Sequence, residues 1–335
     1  MGFHRPRSLR GRRDRGGHLG AQAAQARGLT GAASTASPTV LTIVEAVALS
    51  TAWLQRNARS QSIRSLVLKG PTLQEQGLRG HHVSSDVDLL VEPARFDEFV
   101  EILTTTGWTE FTETFASEQF VTHSRTFRRA GWPNSLDVHS SWPGFLASDE
   151  DVFEVLWERR AAVELAHTSC EVPDRNANLL LLALHSLRGT TSQPRHEREL
   201  DGLRRIRISD EDRQDLATLA RVTGSAAPLQ DFLTDLGVRV DVDPSERQTP
   251  IYKEWQRKVA HAQGRTASWL IELQRAPWRR KAVVLRHGVW PTDHDLLAEH
   301  PDVPDRFWAK IWARIARLGG GIRQLRRVVP ALRRR

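Results

Sequence analysis

The sequence is poor in cysteine and lacks long apolar runs. Cys170 is the single cysteine among 335 residues, which excludes a disulfide framework and a cysteine-based metal cluster. This cysteine usage is typical of the reducing cytoplasm, where we expect the protein to reside. The longest apolar stretches, Leu179–Leu184 and Val40–Leu54, are shorter than the roughly 20 apolar residues of a spanning helix. We therefore expect no transmembrane segment, and the arginine-rich start lacks the apolar stretch of a secretory signal.

Positive charge is concentrated at the two ends of the chain. The formal net charge is +8, and a basic protein is a candidate for binding nucleic acid or an anionic membrane. Residues 1–36 carry +6 and residues 306–335 carry +10, which leaves −8 on residues 37–305. Nucleic acid is therefore a partner only through the basic ends, and it is not the favoured one.

Apolar periodicity predicts a mixed order of helices and strands in the first half of the chain. Val40–Leu54 has helical spacing, and Ser65–Leu68 is a short apolar run of the kind found in strands. Lys69-Gly70 closes that run, and Pro71 opens a short helix to Gln76. Further strands are predicted at 87–91, 108–111, 120–127 and 135–140.

The second half of the chain is predicted to be helical. The predicted helices are 150–160, 174–188, 196–207, 210–222, 249–273 and 303–318. Together these patterns predict an α+β fold in which a small mixed sheet is followed by a helical C-terminal domain. The predicted parts are a disordered basic extension at 1–37, an α/β domain at 38–145, a helical domain at 146–320 and a basic tail at 321–335.

The residues that carry chemistry are three aspartates on two predicted strands. Asp86 and Asp88 are two positions apart, so their side chains leave the same face of one strand. Asp137 lies on a later strand, and it joins the pair if the two strands are neighbours. Carboxylates crowded at the start of an apolar strand repel each other, and a divalent cation such as Mg²⁺ removes that cost. Such a cage can hold two metal ions for in-line displacement at phosphorus.

A phosphate site is predicted upstream of the aspartates. Gly70 lets a phosphate approach the backbone, and the helix that begins at Pro71 offers free N–H groups. Ser84 and Ser85 lack the geometry of a serine nucleophile, so we interpret them as loop residues that hydrogen-bond phosphate or backbone.

These residues resemble the polymerase-beta-type nucleotidyltransferase superfamily, in its order of strand, glycine, helix, Asp-x-Asp and a third Asp. Within it, three segments are similar to a poorly characterised family of bacterial nucleotidyltransferases. They are LKGPTLQEQGLRGHHVSSDVDLLV at 68–91, LDVHSSW at 136–142 and LLLLALHSLRG at 179–189. The segment at 285–318 also resembles that family's helical C-terminal region, so the resemblance spans about residues 40–320.

The resemblance implies that Asp86 and Asp88 ligate Mg²⁺ or Mn²⁺ and bridge it to a nucleoside triphosphate. Asp137 is implied as the third ligand, on the metal that activates the acceptor. Gly70 is implied to lie under the phosphates. Lys69 stands where the superfamily more often has a small residue, and a lysine there can pair with the β- or γ-phosphate.

Two further positions depart from the family's pattern. The family commonly has an arginine about four residues before the first aspartate, and here that position is His82. The nearest arginine is Arg79, so either side chain is a candidate substitute in nucleotide binding.

Histidines offer a second set of candidates. His139 shares a face with Asp137, where it is either a general base for an acceptor hydroxyl or a histidine hydrogen-bonded at the sheet rim. His185 lies within an apolar helical run and is interpreted as a core or cleft-lining residue. A transition-metal site at His81 and His82 is disfavoured because the flanking carboxylates suit Mg²⁺ or Mn²⁺.

The implied activity is metal-dependent transfer of NMP from an NTP, with release of pyrophosphate, to a small-molecule, peptide or protein acceptor that the motifs do not identify. Two alternatives stay open: an inactive nucleotide- or peptide-binding accessory protein, and an RNA-directed transferase guided by the basic tails.

A tryptophan-bearing helix is predicted near the C-terminal end. Trp308, Trp312 and Ile315 share one face between 307 and 318, and the glycines at 319–321 are expected to end the helix. Such a face suits a membrane surface or nucleic acid, but we favour packing of the tryptophans on the body of the protein.

Overall fold

A computed structural model describes residues 40–111, 123–189, 194–261, 273, 277–299 and 303–332. The predicted extension at 1–37 lies outside the described residues, as do the first three residues of the predicted strand 120–127 and most of the second half of the predicted helix 249–273. The described chain is mixed α/β, with one small mixed sheet and many helices, which confirms the predicted fold class.

The elements alternate first and then become mainly helical. The strands are β1 (Ser65–Leu68), β2 (Asp86–Val91), β3 (Thr109–Glu110), β4 (Ser124–Arg128), β5 (Ser135–His139), β6 (Arg160–Leu165) and β7 (Thr168–Pro173). The helices are α1 (Ile43–Ser60), α2 (Thr72–Glu75), α3 (Phe96–Thr105), α4 (Asp149–Glu158), α5 (Arg175–Gly189), α6 (Pro194–Arg204), α7 (Asp210–Val222), α8 (Ala226–Asp235), α9 (Pro250–His261), α10 (Trp278–Val289), α11 (Asp293–Glu299) and α12 (Phe307–Leu332). Two 3₁₀ turns, Pro93–Arg95 and Glu246–Gln248, also lie in the described part of the chain.

The start of α1 is set by a local signal in the sequence. The Thr42 hydroxyl accepts a hydrogen bond from the Glu45 backbone N–H at 3.3 Å, and a Glu45 carboxylate oxygen accepts one from the Thr42 N–H at 2.9 Å. This reciprocal capping satisfies two N–H groups that have no partner within the helix. Ser209 and Asp212 make the same arrangement at the start of α7.

Five strands form one mixed sheet in the order β1-β2-β5-β4-β3. β2 runs parallel to β5 and antiparallel to β1, while β4 is antiparallel to both β5 and β3. The parallel pair is central, so the two strands that carry the three aspartates are direct neighbours.

The two faces of the sheet enter different cores. Leu68 and Leu90 point to the face that packs with α4, α5 and the helices after it. Val67 and Leu89, one position away on the same strands, point to the opposite face and pack with α1 and α3. This alternation follows from the two-residue period of a strand. Because Asp88 is two positions from Leu90, its side chain lies on the same face as Leu90, the face covered by α4 and α5.

Helix α5 is the centre of the helical core. Leu179–Leu184 are fully buried, so this helix is apolar around its circumference, as expected of a helix surrounded by others. Trp142, which follows β5, donates a hydrogen bond from its indole Nε1 to the Leu181 carbonyl at 3.1 Å. The loop after β5 is therefore anchored on α5.

A hairpin that the sequence analysis did not predict follows α4. β6 and β7 pair antiparallel, and Cys170 and Val172 bury their side chains in the core shared with α1. The Glu171 N–H donates to Gln55 Oε1 of α1 at 3.1 Å. The division into a domain at 38–145, a domain at 146–320 and a tail at 321–335 stays a prediction.

A buried polar contact holds the turn before β5. The amide Nδ2 of Asn134 donates to Ser50 Oγ of α1 at 2.9 Å, and both residues are buried. Ser50 in turn donates to the Ala46 carbonyl at 2.6 Å. The start of β5 is thereby tied to a fixed point on α1.

Two expectations for the C-terminal helix were wrong. Helix α12 continues through the glycines at 319–321 to Leu332. Trp308 and Trp312 are 71% and 68% exposed instead of packing on the body. Arg314 of this helix is buried and pairs with Asp293 at 2.5 Å, so polar contacts to the start of α11 orient the helix. Among the described residues, no helix is long and apolar enough to cross a membrane.

Candidate active site

The pairing of β2 with β5 puts three carboxylates on one face of the sheet. Asp88 lies directly opposite Asp137 in the parallel register, and Asp86 lies opposite Ser135. Directly opposite residues and alternate residues share a face, so all three aspartates point toward the side covered by α5. The structure therefore brings together the three residues that the sequence suggested as metal ligands.

Asp88 is the most buried of the three and is held by two partners. Lys69 Nζ lies 2.8 Å from Asp88 Oδ2, and His139 Nε2 lies 3.0 Å from Oδ1. Burial favours the protonated acid, but Lys69 and His139 outweigh it and hold the pKa of Asp88 below its usual range. Asp88 is therefore ionised in this setting.

His139 is buried beside Asp88 and packs against Trp142, with ring centroids 5.0 Å apart. Because Asp88 is ionised and can only accept, Nε2 of His139 carries the proton of their hydrogen bond. Its Nδ1 has no hydrogen-bond partner among the described residues. His139 is thus a histidine hydrogen-bonded within the sheet. Its role as a general base for an acceptor hydroxyl stays a prediction.

Asp137 and Asp86 accept hydrogen bonds from hydroxyl groups. Thr126 Oγ1 donates to Asp137 at 2.7 Å, and Ser84 Oγ donates to Asp86 at 2.9 Å. No lysine or arginine among the described residues forms an ion pair with either carboxylate. Burial, followed by the charge of Asp88, raises the pKa of Asp137. The site therefore has negative charge that its own cations do not fully compensate.

The turn between β1 and α2 places Lys69. Both Lys69 and Gly70 adopt positive φ, at 57° and 61°, a conformation that costs energy for lysine and little for glycine. Space around the Cα of Gly70 is open, since an added Cβ meets nothing within 4 Å. α2 is a single turn from Thr72 to Glu75, flanked by Pro71 and Gln76, so it lies where the short helix was predicted. Phosphate binding by its N–H groups stays a prediction.

Among the described residues, no hydrogen bond or ion pair joins the side chains of the other predicted nucleotide-binding residues to the three aspartates. Arg79 forms a salt bridge with Glu199 of α6. Ser85 is exposed, and its carbonyl accepts the Ser135 N–H at 3.3 Å while Ser84 provides the side-chain contact to Asp86. His82 is exposed, and partial burial and the charge of Arg79 lower its pKa. Nucleotide binding by these three residues stays a prediction.

Two residues of α6 join His185 in a cluster that sequence analysis missed. His185, His196 and Glu199 each place a potential ligand atom within 4.8 Å of the others. The rings of the two histidines meet edge to face with centroids 4.9 Å apart. The three-residue spacing of His196 and Glu199 on a predicted helix was the available signal, but their approach to α5 depends on tertiary packing.

Trp142 carries two cations on its ring. Lys69 Nζ lies 5.1 Å from the centroid of the indole, and the Arg188 guanidinium carbon lies 5.4 Å from it. Arg188 belongs to the family-like segment at 179–189, but nothing in that segment alone indicates a role for it. Its position at the end of α5, facing the loop after β5, depends on how that loop docks on the helix.

A family comparison decides the kind of protein this is. A sequence profile described as "Uncharacterised nucleotidyltransferase" matches residues 45–234, more than half of the chain. The chain belongs to this nucleotidyltransferase family. The match includes all three aspartates, Lys69 and Arg188, and it confirms the resemblance recognised from the sequence.

Solved structures that resemble this nucleotidyltransferase family member were also found. An antigenic nucleotidyltransferase-like protein from Paracoccidioides brasiliensis is 14% identical, with a TM-score of 0.36 over 58% of this chain and 94% of its own. The lincosamide adenylyltransferase LnuA, bound to lincomycin, is 13% identical, with a TM-score of 0.32 over 46% and 94%. The antibiotic-resistance factor ANT(2'')-Ia is 12% identical, with a TM-score of 0.38 over 57% and 98%. The chain has no match among curated proteins.

The carboxylate face has donor atoms suited to a divalent cation. Asp86 and Asp137 offer carboxylate oxygens with no cationic partner among the described residues, and Asp88 lies between them. Burial and the neighbouring negative charge raise the pKa of Asp137, and a hard cation removes that repulsion. The oxygen-only donor set of the three aspartates fits Mg²⁺ or Mn²⁺.

Proposed function

We propose that the protein is a nucleotidyltransferase dependent on Mg²⁺ or Mn²⁺ that moves NMP from an NTP to an acceptor and releases pyrophosphate. The observation that carries the proposal is the placement of Asp86, Asp88 and Asp137 on one face by the β2–β5 register. Membership of the nucleotidyltransferase family supports it. The acceptor class is a hydroxyl or amine on a small molecule, a peptide or a protein.

The reaction is a displacement at the α-phosphorus. A bond forms between the acceptor oxygen or nitrogen and the α-phosphorus, and the bond from that phosphorus to the bridging oxygen breaks. The electron pair stays with pyrophosphate, and the acceptor loses one proton to a base. The divalent cation supplies an activated acceptor and charge neutralisation on the phosphates.

The residues of this chain orient the reactants. Asp86, Asp88 and Asp137 would ligate the metal. His139 keeps the Asp88 carboxylate in one orientation through its 3.0 Å hydrogen bond, as outer partners of metal ligands commonly do. The open space above Gly70 admits a phosphate close to the backbone. Lys69 lies beside that space and is suited to the β- or γ-phosphate.

Label transfer tests the proposal. The full chain is incubated with each α-labelled NTP, Mg²⁺ or Mn²⁺ and a cell extract, beside Asp86→Asn and Asp137→Asn variants. Asp241→Asn changes an exposed carboxylate far along the chain and serves as the matched control. We expect labelled product with the unmodified chain and the control, and a loss of at least a hundredfold in the two site variants.

The acceptor class follows from the fate of the label. Product sensitive to protease identifies a protein or peptide acceptor, while product recovered by small-molecule extraction identifies a metabolite. Absence of transfer with every NTP, together with absence of metal-dependent NTP binding, would reject the proposed function.

A second candidate is a nucleotide-binding accessory protein that performs no transfer. The observation that favours it is the ion pair between Lys69 and Asp88, because a lysine that neutralises a metal ligand weakens the attraction for a cation. Metal-dependent NTP binding without label transfer, at saturating NTP and with extract present, would select this candidate over the enzyme.

A further inference from the structure

A guanidinium without a carboxylate partner lies beside the candidate active site. Arg188 lies in the last turn of α5, and its guanidinium carbon is 5.4 Å from the centroid of the Trp142 ring. No carboxylate among the described residues forms an ion pair with Arg188, and its buried Nε lacks a hydrogen-bond partner. Burial lowers the pKa of Arg188 to about 10, so the charge remains at neutral pH. A half-buried arginine with a buried Nε and no carboxylate partner among the described residues favours binding of an anion.

Lys69 brings a second positive charge to the same indole. Its Nζ lies 5.1 Å from the Trp142 centroid and 2.8 Å from Asp88 Oδ2. Asp88 offsets the charge of Lys69, whereas no described carboxylate forms an ion pair with Arg188. Two cations on one ring repel each other, and a ligand with several negative charges relieves that repulsion.

The neighbouring histidines report the same positive environment. Burial comes first among the causes that lower the pKa of His185, and the charges of Lys69 and Arg188 follow it. Burial and the charge of Arg195 lower the pKa of His196. Both imidazoles are therefore neutral near pH 7, so they add no positive charge to that of Lys69 and Arg188.

The same positive charge disfavours a metal ion at the cluster of His185, His196 and Glu199. Its ligand atoms are close enough for a metal, but Glu199 already accepts from Arg79 and from Ser186 Oγ, the latter at 2.7 Å. Four cationic side chains, Lys69, Arg79, Arg188 and Arg195, bear on this region. The potential there repels a divalent cation and attracts an anion.

We propose that Lys69, Trp142 and Arg188 form an anion subsite that binds the pyrophosphate portion of the nucleoside triphosphate, an inference that rests on the proposed function. The subsite adjoins the carboxylates, since Lys69 touches both Trp142 and Asp88. A triphosphate whose β- and γ-phosphates lie against Arg188 can direct its α-phosphorus toward the aspartates. When the bond to the α-phosphorus breaks, the electron pair moves onto pyrophosphate, and the two cations stabilise that charge.

Arginine suits this task because its planar guanidinium offers paired N–H donors to phosphate oxygens. The guanidinium lies against the Trp142 ring and is planar, so the side chain loses little conformational entropy when a phosphate binds. Arg188 acts as a substrate-binding residue here, whereas Trp142 positions the two cations.

Pyrophosphate itself is the probe. Binding of pyrophosphate, of a non-hydrolysable NTP analogue and of AMP to the full chain is measured calorimetrically, with and without Mg²⁺. Arg188→Gln is compared with Arg188→Lys and with Arg198→Gln, an exposed arginine of α6. We expect Arg188→Gln to weaken pyrophosphate and the NTP analogue at least tenfold and to leave AMP unchanged. Arg188→Lys retains part of the affinity, and Arg198→Gln behaves as the unmodified chain.

Thermal unfolding separates this role from a structural one. Removal of an unpaired buried cation leaves the melting temperature unchanged or raises it, whereas loss of a structural contact lowers it. Pyrophosphate affinity in Arg188→Gln equal to that of the unmodified chain overturns the subsite. Unchanged KM for NTP in that variant, with label transfer intact, also overturns the subsite and leaves the proposed function standing. Pyrophosphate binding that depends on Arg188 in a chain that transfers no label supports the subsite and rejects the function.

Discussion

Lys69 Nζ and Asp88 Oδ2 are 2.8 Å apart, and the two side chains are only 13% and 7% exposed. The lysine reaches this position because it and Gly70 turn the chain through positive φ directly after β1. A carboxylate proposed as a metal ligand is thus paired with a cation of the same chain. Under the proposed function, a divalent metal held by Asp88 would replace or rearrange that pair and free the ammonium for a phosphate.

Replacement of Lys69 by methionine tests this ion pair. The change leaves the Asp88 charge buried with only His139 as a partner, and breaking one half of a buried pair costs about 3 kcal/mol of unfolding free energy. We expect the double variant Lys69→Met/Asp88→Asn to recover much of that loss, because both charges are gone. Urea denaturation of the two single variants and the double variant measures the coupling. Additive losses would show that the pair contributes nothing.

Stability should depend on pH with opposite signs at two neighbouring aspartates. The pKa of Asp88 in the folded chain is below the ordinary value of 3.8, so its contribution is present above that value and is lost as pH falls. The pKa of Asp137 is raised, so its contribution declines as pH rises through the interval above 3.8.

Chemical denaturation over about pH 3 to about pH 7 reads out both effects. Asp88→Asn is expected to remove part of the loss of stability in acid. Asp137→Asn is expected to stabilise the metal-free chain at neutral pH, because it removes a buried negative charge next to Asp88. Destabilisation by Asp137→Asn at neutral pH would contradict the direction of the pKa shift.

Metal binding should stabilise the folded chain. At a free Mg²⁺ or Mn²⁺ concentration ten times Kd, a ligand specific to the native state adds about 1.4 kcal/mol. We expect Asp86→Asn and Asp137→Asn to abolish that gain and Asp241→Asn to retain it. Thermal unfolding with and without metal, at constant ionic strength, makes the comparison. Equal stabilisation of all four proteins would place the metal elsewhere.

Gly144 should not tolerate a side chain. Its φ is +107°, and an added Cβ would lie 2.5 Å from the Cδ2 atom of Leu184 and 3.0 Å from the ring of Trp255. We expect Gly144→Ala to cost about 3 kcal/mol through overpacking and backbone strain. Gly202→Ala is the control, because Gly202 lies in α6 with nothing within 4 Å. That change is expected to stabilise the helix by up to about 1 kcal/mol. Denaturant unfolding measures both.

Much of the carboxylate face could be predicted from the sequence because it depends on local rules. The two-residue spacing of Asp86 and Asp88 places them on one face of any strand. The apolar run that contains Asp137 marks a further strand. Which strand lies beside which is a tertiary property, and the parallel pairing of β2 with β5 was needed to complete the set.

Other features depended on packing that no local pattern shows. The segment Arg160–Leu165 has good helix formers, yet it is a strand because Cys170 and Val172 of its partner bury in the core of α1. Arg188 looked like an ordinary polar residue at a helix end. Only the docking of Trp142 on α5 reveals that its charge lies beside the site.

The hydrogen bond between Asn134 and Ser50 fixes the residue at which β5 begins. The face that Asp137 occupies therefore depends on the length of the turn before β5. A shift of β5 by one position would turn its side chains to the opposite faces of the sheet. Leu136 and Val138 would then face α5, and Asp137 would enter the apolar core beside α1 and α3. Inserting one residue after Asn134 therefore exchanges an acidic surface for an aliphatic one, while the overall topology can persist. The side of the sheet on which Asp137 lies thus depends on the register of β5, and the buried contact of Asn134 with Ser50 holds the start of that strand.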